Sequence, residues 1–390
     1  MSEPYALLIV GGGPAGLAAA RAFRGASGVG KVAIVADEHR VPYERPPLTK
    51  ELLRGESSEE ALPIEPESWL AHQRVDLVAG RVVALDPGRR VASLSGGREL
   101  PYETCLLATG AEPTRLPVPG ADHPRVLVIR TLDHVRELTA RLGDGDPLVV
   151  IGSGFIGCEI ASSLRIRGHP VELVSDERAP NAARLGEEAA EIIATWLAQD
   201  GVGLHFDSAV ERIEPADGSA TVRVGSEQIV GKLVVMAAGV SPRAELAVQV
   251  GLELVDGAIP AAADMHTAQV ALLAAGDVCR ADNLSAGRPL RVEHWGDALG
   301  QGEIAGKTAA GERATWSAVP GFWSTIGRRT LKYAAWGDGF DRARLRRGSD
   351  GAFTTWYGKE DRLVGVLTHD ADADYEHGAE QIARGERWPW

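Results

Sequence analysis

Two stretches of the chain, Gly11-Gly12-Gly13-Pro14-Ala15-Gly16 and Gly152-Ser153-Gly154-Phe155-Ile156-Gly157, repeat one glycine pattern, each directly after an apolar run and each opening a helical sequence. In this pattern the first glycine allows a tight strand-to-helix turn and the second lets a pyrophosphate approach the backbone. The third lets the helix lie close on the sheet, with the anion at the helix's positive end. One such match carries little weight among 46 glycines in 390 residues, but here the flanking sequence agrees twice. Residues 5–10 and 147–151 read as buried parallel strands, 17–23 and 158–164 as crossover helices, and 32–35 and 171–174 as the strands that follow. The latter end in Asp37-Glu38 and Ser175-Asp176-Glu177, about 20 to 25 residues past the glycines, where a ribose hydroxyl is expected. The chain is expected to hold two dinucleotides.

Composition bounds the rest. A hydrophobic content of 44% is ample for packed cores, and the length suits two to three domains. The three cysteines, Cys105, Cys158 and Cys279, lie far apart, which excludes a disulfide framework and a closely spaced metal or redox pair. No metal site is expected. A reducing, cytoplasmic setting follows from the cysteines and from an N-terminus that runs from Met1 almost directly into a strand without a secretory pattern. No apolar run approaches the roughly 18 residues of a membrane span. A net charge of −13 argues against a nucleic-acid partner.

The expected architecture is α/β, with two Rossmann-like dinucleotide-binding domains and a small C-terminal α+β domain. The first domain is expected over 1–112 and 241–317, because Ala271-Leu272-Leu273-Ala274-Ala275-Gly276-Asp277 reads as a strand that returns to complete its sheet. The second is expected over 113–240, entered through Pro113, Pro117 and Pro119 and closed by Leu233 to Gly239. From 318 to 390 aromatic residues crowd into short alternating patterns such as 352–357 and 363–367, followed by an acidic and then helical tail.

Four further motifs accompany the glycine loops: Tyr43-Glu44-Arg45-Pro46-Pro47-Leu48-Thr49-Lys50, Gly154-Phe155-Ile156-Gly157-x-Glu159, Ala275-Gly276-Asp277-Val278, and Val292-Glu293-His294-Trp295 with Ala298-x-x-Gln301-Gly302. Together they resemble the FAD-dependent ferredoxin reductases of bacterial oxygenase and P450 systems, putidaredoxin reductase-like members of the pyridine nucleotide-disulfide reductase superfamily. The resemblance covers most of the chain. It implies FAD in the first domain, NAD(P)H in the second and an interface domain last. It also implies an enzyme passing electrons from NAD(P)H through FAD to a ferredoxin-type carrier.

Carried onto this sequence, the resemblance puts Gly11, Gly13, Ala15 and Gly16 at the FAD pyrophosphate and Asp37 at the adenosine ribose. Arg45, Val83, Ala108, Thr109, Gly110 and Gly276 are further FAD-binding positions, Arg130 lies near the phosphate or ribityl region, and Asp277 lies on the ribityl chain. Lys50 stands beside the flavin ring and Trp295 at its pyrimidine end. Gly152, Gly154, Ile156 and Gly157 cradle the nicotinamide dinucleotide, Ser175 and Asp176 meet its ribose, Glu159 reaches its carboxamide, and Gly239 sits near the nicotinamide.

The residues themselves add physical expectations. Thr49 reads as a helix N-cap, placing Lys50 in a first turn where the macrodipole disfavours a cation. Such a breach of local preference marks functional sites, and a cation near a flavin would stabilise the reduced ring. Glu159, in the first turn of a helix meant for an anion, must point sideways, where it could pair with Lys50. The plainer readings are a solvated Lys50, a Glu159 held by the helix dipole, an Asp277 that only caps a following helix, and a Trp295 of the core. Cys279 reads as a buried structural thiol. The resemblance makes Lys50 and Glu159 the expected catalytic residues; since the close cysteine pair of disulfide reductases is missing, electrons are expected to leave FAD directly.

NADH is expected from the acids Asp176 and Glu177, although Ser175 with Arg178 could take the 2′-phosphate of NADPH. Arg328, Arg329, Lys332, Arg342, Arg344, Arg346 and Arg347 cluster in the sequence and are expected to steer an acidic iron-sulfur ferredoxin, against the plainer reading of a solvated face. The chain departs from the resemblance in two places: Ser175 stands where NADH-using members commonly carry glutamate, and Phe322-Trp323-Ser324-Thr325-Ile326 replaces a Phe-Trp-Ser-Asp-Gln pattern. Two other functions share the architecture, an NADH oxidase or small-molecule reductase and an apoptosis-inducing-factor-type redox sensor. The oxidase would want a flavin-side cysteine where Thr49 and Lys50 stand.

Overall fold

The computed structural model describes residues 3–390. They group into two compact units, one of 3–44, 63–112 and 241–322, the other of 45–62, 113–240 and 323–390. Sequence reasoning kept 45–62 with the first domain and set 318–390 apart. The contacts place 45–62 and 323–390 with 113–240.

The first unit is built on parallel strands in the order Val75–Ala79, Lys31–Ala36, Tyr5–Val10, Glu99–Leu107, with Leu272–Ala274 on the far side of the last. The returning strand thus completes this sheet. Glu99–Leu107 serves three partners, since Glu99 to Pro101 also pair antiparallel with Val91 to Ser93, which extends the sheet into Val82–Asp86. Apolar side chains fill both faces: Leu7, Leu8, Ile9, Ile34, Leu106 and Leu107 are among the most deeply enclosed residues, as expected of a parallel sheet covered on two sides. Helix Pro14–Gly25 starts on a proline at its first position, where the missing N–H costs nothing. It packs on helix Trp295–Ala309, and the two approach closely because a Cβ on Gly302 or Gly306 would run into the backbone of Ala15 or Ala19.

The second unit repeats the plan with Gly203–His205, Val171–Val174, Leu148–Ile151, Leu233–Met236 and Val126–Leu127, all parallel. An antiparallel meander, Arg212–Ala216, Ser219–Val224 and Glu227–Gly231, covers it through a core of Ile213, Val222 and Ile229 against Val149, Val234 and Met236. The same unit carries a five-stranded antiparallel sheet in the order Gly321–Ile326, Arg329–Ala335, Arg362–His369, Phe353–Lys359, Arg342–Arg347, backed by helix Asp372–Ala383. Its tie to the helices is specific: the Tyr357 hydroxyl donates to the Leu185 carbonyl at 2.9 Å, and Trp196 stacks edge-on against His369. No helix among the described residues is long and apolar enough to cross a membrane.

Candidate functional site

Each glycine loop has the geometry that the pattern demands. Gly11 (φ +128°) and Gly152 (φ +103°) adopt backbone that favours glycine, and a Cβ on either would collide with a carbonyl oxygen, that of Ala108 or of Ala237. A Cβ on Gly16 or Gly157 would strike the carbonyl of Gly11 or Gly152, so the helix could not seat against its own turn. The middle glycines differ. Gly13 and Gly154 are helix N-caps with no capping side chain and with open space where a Cβ would stand. Two twelve-residue helices therefore present uncapped N-termini to open space, which fits a pyrophosphate at each. On the resemblance above, the first would take FAD and the second a nicotinamide dinucleotide.

Around the first cradle the structure gathers Gly11, Gly13, Ala15, Gly16, Ala108, Thr109, Gly110 and Gly276. Ala108 donates its N–H to Val10, and Gly276 (φ +80°) brings its Cα side against the Ala15 methyl. The Gly276 N–H donates to Gln301 Oε1 at 2.9 Å, which fixes the amide's orientation and leaves Gln301 Nε2 buried without a partner. Asp277, enclosed directly after this glycine, does not cap a helix: strand Cys279–Asn283 follows at once, so the capping alternative is withdrawn. Asp37 lies exposed just past Lys31–Ala36 and pairs with Arg243 at 3.1 Å. Arg243 is pinned by its backbone, accepting from the Thr109 hydroxyl at 2.6 Å and donating to the Gly110 carbonyl at 2.9 Å. Val83, 42% exposed, is the extra residue of a bulge between Val82 and Ala84, so its backbone is free of the ladder. Trp295 is half-buried at the first position of its helix.

The second unit holds the remaining candidates. Arg45 donates to the carbonyl of Arg130 at 2.6 Å, just ahead of helix Leu132–Arg141, which Thr131 and His134 cap reciprocally. Thr49 is not an N-cap. Pro46 and Pro47 start a 3₁₀ turn, Pro46–Thr49, and Lys50 itself precedes the short helix Glu51–Arg54. Glu159 is the fifth residue of helix Phe155–Ile166, beyond its first turn, so the dipole does not account for it. Four donors do. Its Oε2 accepts from the Thr49 hydroxyl at 2.5 Å and the Lys50 ammonium at 2.9 Å, and its Oε1 from the Ser324 hydroxyl at 2.7 Å and the Thr325 N–H at 3.3 Å. Glu159 and Lys50 are 2% and 5% exposed, which rules out a solvated lysine, and a charge pair so enclosed persists only with its hydrogen bonds filled.

At the end of Val171–Val174 the Ser175 hydroxyl oxygen accepts from the Ser153 hydroxyl at 2.8 Å and from the Glu177 N–H at 3.2 Å. Asp176 is exposed, Glu177 Oε2 is enclosed without a donor, and Arg178 is ion-paired with Glu187. Ile156 is 47% exposed at the mouth of the loop. Gly239 (φ +90°) follows Leu233–Met236, with open space at its Cβ position.

The basic residues do not form the single patch that their sequence clustering suggests. Arg342, Arg344, Arg346 and Arg347 share the edge strand, but Arg329 and Lys332 lie three strands away, and Arg328 sits in the turn before them. Acids neutralise most of the set: Glu56 holds Arg328, Asp200 holds Arg329, Asp372 holds Lys332, Asp341 holds Arg342, and Asp374 holds Arg346. Burial pushes all three cysteine thiols well up, and none is bonded to another. Among the described residues no cluster could hold a metal ion.

Sequence reasoning missed Ser324, Thr325, Gln301 and Arg243. Ser324 and Gln301 stand inside motifs that were noticed, yet nothing local assigns their partners.

Known proteins resemble this chain over most of its length. A family model described as pyridine nucleotide-disulphide oxidoreductase matches residues 5–302. Rhodocoxin reductase of Rhodococcus erythropolis is 32% identical over 373 residues, covering 95% of this chain and 87% of its own. The rubredoxin-NAD(+) reductase of Pseudomonas putida is 31% identical over 330 residues, covering 84% and 86%. The crystal structure of the ferredoxin reductase for the CYP199A2 system from Rhodopseudomonas palustris superposes with a TM-score of 0.93 at 29% identity, covering 98% of this chain and 95% of that one.

Proposed function

The chain belongs to the pyridine nucleotide-disulphide oxidoreductase family, and from that premise we propose that it is an FAD-dependent NAD(P)H:ferredoxin reductase. The observation that carries the reading is the pair of uncapped glycine cradles in a chain whose three cysteines are buried and separate. Two nucleotides have places, and no dithiol stands ready to take electrons from the flavin. Bound FAD would supply the conversion of a two-electron hydride donor into single electrons for a one-electron carrier.

The chain's own residues bind and orient. Gly13, Ala15 and Gly16 offer N–H groups to the FAD pyrophosphate, while Asp37, Val83, Ala108, Thr109, Gly110, Gly276, Asp277 and Trp295 of the same unit line the rest of its course. Gly154, Ile156 and Gly157 do the same for the nicotinamide dinucleotide, and Gly239 leaves room for its ring. Lys50, held by Glu159, supplies the fixed positive charge that favours a reduced flavin. With four donors already on its carboxylate, Glu159 serves the carboxamide only by giving one of them up.

NADH is the favoured donor. A 2′-phosphate would meet the acids Asp176 and Glu177 with Arg178 already paired with Glu187, whereas a ribose hydroxyl would donate to the exposed Asp176 carboxylate. The carrier is read as an acidic iron-sulfur protein. After internal pairing, Arg344 and Arg347 on the edge strand are what remains of the positive steering surface.

Cytochrome c reduction with NADH or NADPH, with and without added ferredoxins, tests the proposal. A yellow protein whose cytochrome c activity depends on a ferredoxin and prefers NADH is the expected result. Ferredoxin-independent activity with rapid air reoxidation would instead indicate the oxidase.

A further inference from the structure

The helix that carries the second glycine loop presents three polar side chains in a row, and each holds a segment remote in sequence. Ser163 Oγ donates to the Thr49 carbonyl at 2.8 Å, Ser162 Oγ accepts from the Gly327 N–H at 2.8 Å, and Glu159 grips both segments at once. A carboxylate offers about four acceptor positions, and here all four are filled. The filling is ordered: Lys50 and Thr49 take Oε2, and Ser324 and Thr325 take Oε1.

From this geometry we propose that Ser324 is a positioning residue for the reduction step, acting through Glu159 on Lys50. Its hydroxyl, 1% exposed, and the Thr325 N–H prevent the carboxylate from turning about its last bond. Oε2 therefore stays on the Lys50 ammonium, and Lys50 keeps one orientation. Nothing else on strand Gly321–Ile326 can replace the Ser324 hydroxyl: the Thr325 hydroxyl is bonded to Thr330 at 3.0 Å, within the hairpin. The inference rests on the proposed role of Lys50 in the reductase.

Its test uses the FAD-loaded enzyme in stopped flow. Ser324→Ala slows reduction of the flavin by NADH about tenfold, the scale of one hydrogen bond to a buried charge, while the dissociation constant of NADH moves by less than about twofold. Ser324→Thr restores the rate, and Ser324→Cys, of similar size but a weak donor, falls between. In a Lys50→Met background Ser324→Ala has no further effect, because the path to the reaction is already cut.

An unchanged rate in Ser324→Ala, or an effect that adds to that of Lys50→Met, overturns the proposal. So does tighter NADH binding, which would give Oε1 to the nucleotide. If Lys50→Met alone leaves flavin reduction unaltered, the role of Lys50 fails. The positioning claim is then decided by urea unfolding of the same two variants, where midpoint shifts that simply add would refute it.

Discussion

The two glycine loops share one turn and differ in what holds the helix behind it. Helix Pro14–Gly25 is packed from outside by helix Trp295–Ala309, glycine on alanine, with no charged side chain among its buried residues. Helix Phe155–Ile166 is held by Glu159, Ser162 and Ser163, all buried, through hydrogen bonds to residues 49–50 and 324–327. A dry contact between small residues is shape-specific and has no second arrangement, which suits a resident cofactor. A polar one holds its arrangement only while every donor stays, so a ligand that replaces a donor can rearrange it. That suits a nucleotide that must enter and leave.

The sharpest test of this contrast replaces the leading glycines. Gly11→Ala and Gly152→Ala each meet both an unfavourable φ and a carbonyl oxygen, at a cost of several kcal/mol. Gly11→Ala is expected to yield protein without visible flavin absorbance. Gly152→Ala should remain yellow but raise the KM for NADH at least tenfold. Colour lost from Gly152→Ala and kept by Gly11→Ala would reverse the assignment of the two cradles.

A smaller effect separates the two kinds of packing. Gly302→Ala forces its helix away from Ala15 and should destabilise by about 3 kcal/mol while loosening FAD. Ser163→Ala gives up one neutral hydrogen bond and should destabilise by about 1 kcal/mol with FAD retained. Thermal unfolding followed by released flavin fluorescence measures both, and equal effects would erase the distinction.

What the sequence showed, and what it hid, divides along the same line. The glycine turns, the parallel strands and the return of Leu272–Ala274 were legible because each rests on local spacing. The reach of Lys50 to Glu159 was anticipated, but the other donors were not: Ser324 lies 165 residues from Glu159, and no periodicity records such a contact. Short elements misled as well. Pro46-Pro47 fixes a 3₁₀ turn through Thr49, which displaces the cap to Lys50, and a strand rather than a helix follows Asp277. The arginine run looked like one patch because sequence neighbours were taken for surface neighbours, yet two strands of the sheet lie between its two ends.

At the first cradle, Arg243→Ala probes the partly exposed pair with Asp37, whose side chains are 27% and 43% accessible. Solvent screens such a pair, so the loss to stability should stay below about 1 kcal/mol. Because Arg243 steadies the carboxylate assigned to the adenosine ribose, FAD release from the variant should be about two- to fivefold faster than from the wild type. A stronger effect would mean that the guanidinium itself touches the cofactor.

The smallest expected effect is none. Cys105 lies on the strand beside Tyr5–Val10, Cys279 follows the Gly276 turn, and Cys158 neighbours Glu159, so thiols flank both cradles. Burial holds each as the neutral thiol, with Glu159 and Glu177 adding to the effect at Cys158. A neutral, enclosed thiol is a poor nucleophile. Iodoacetamide at about pH 8 should therefore leave all three cysteines unmodified in the folded protein, by intact mass, and the rate of flavin reduction unchanged. Loss of activity on alkylation of Cys158 alone would show that the polar side opens in solution while the packed side stays shut, the same asymmetry expressed as motion. Loss on alkylation of Cys105 or Cys279 would break it, because the dry contact between Ala15 and Gly302 would then be the looser of the two.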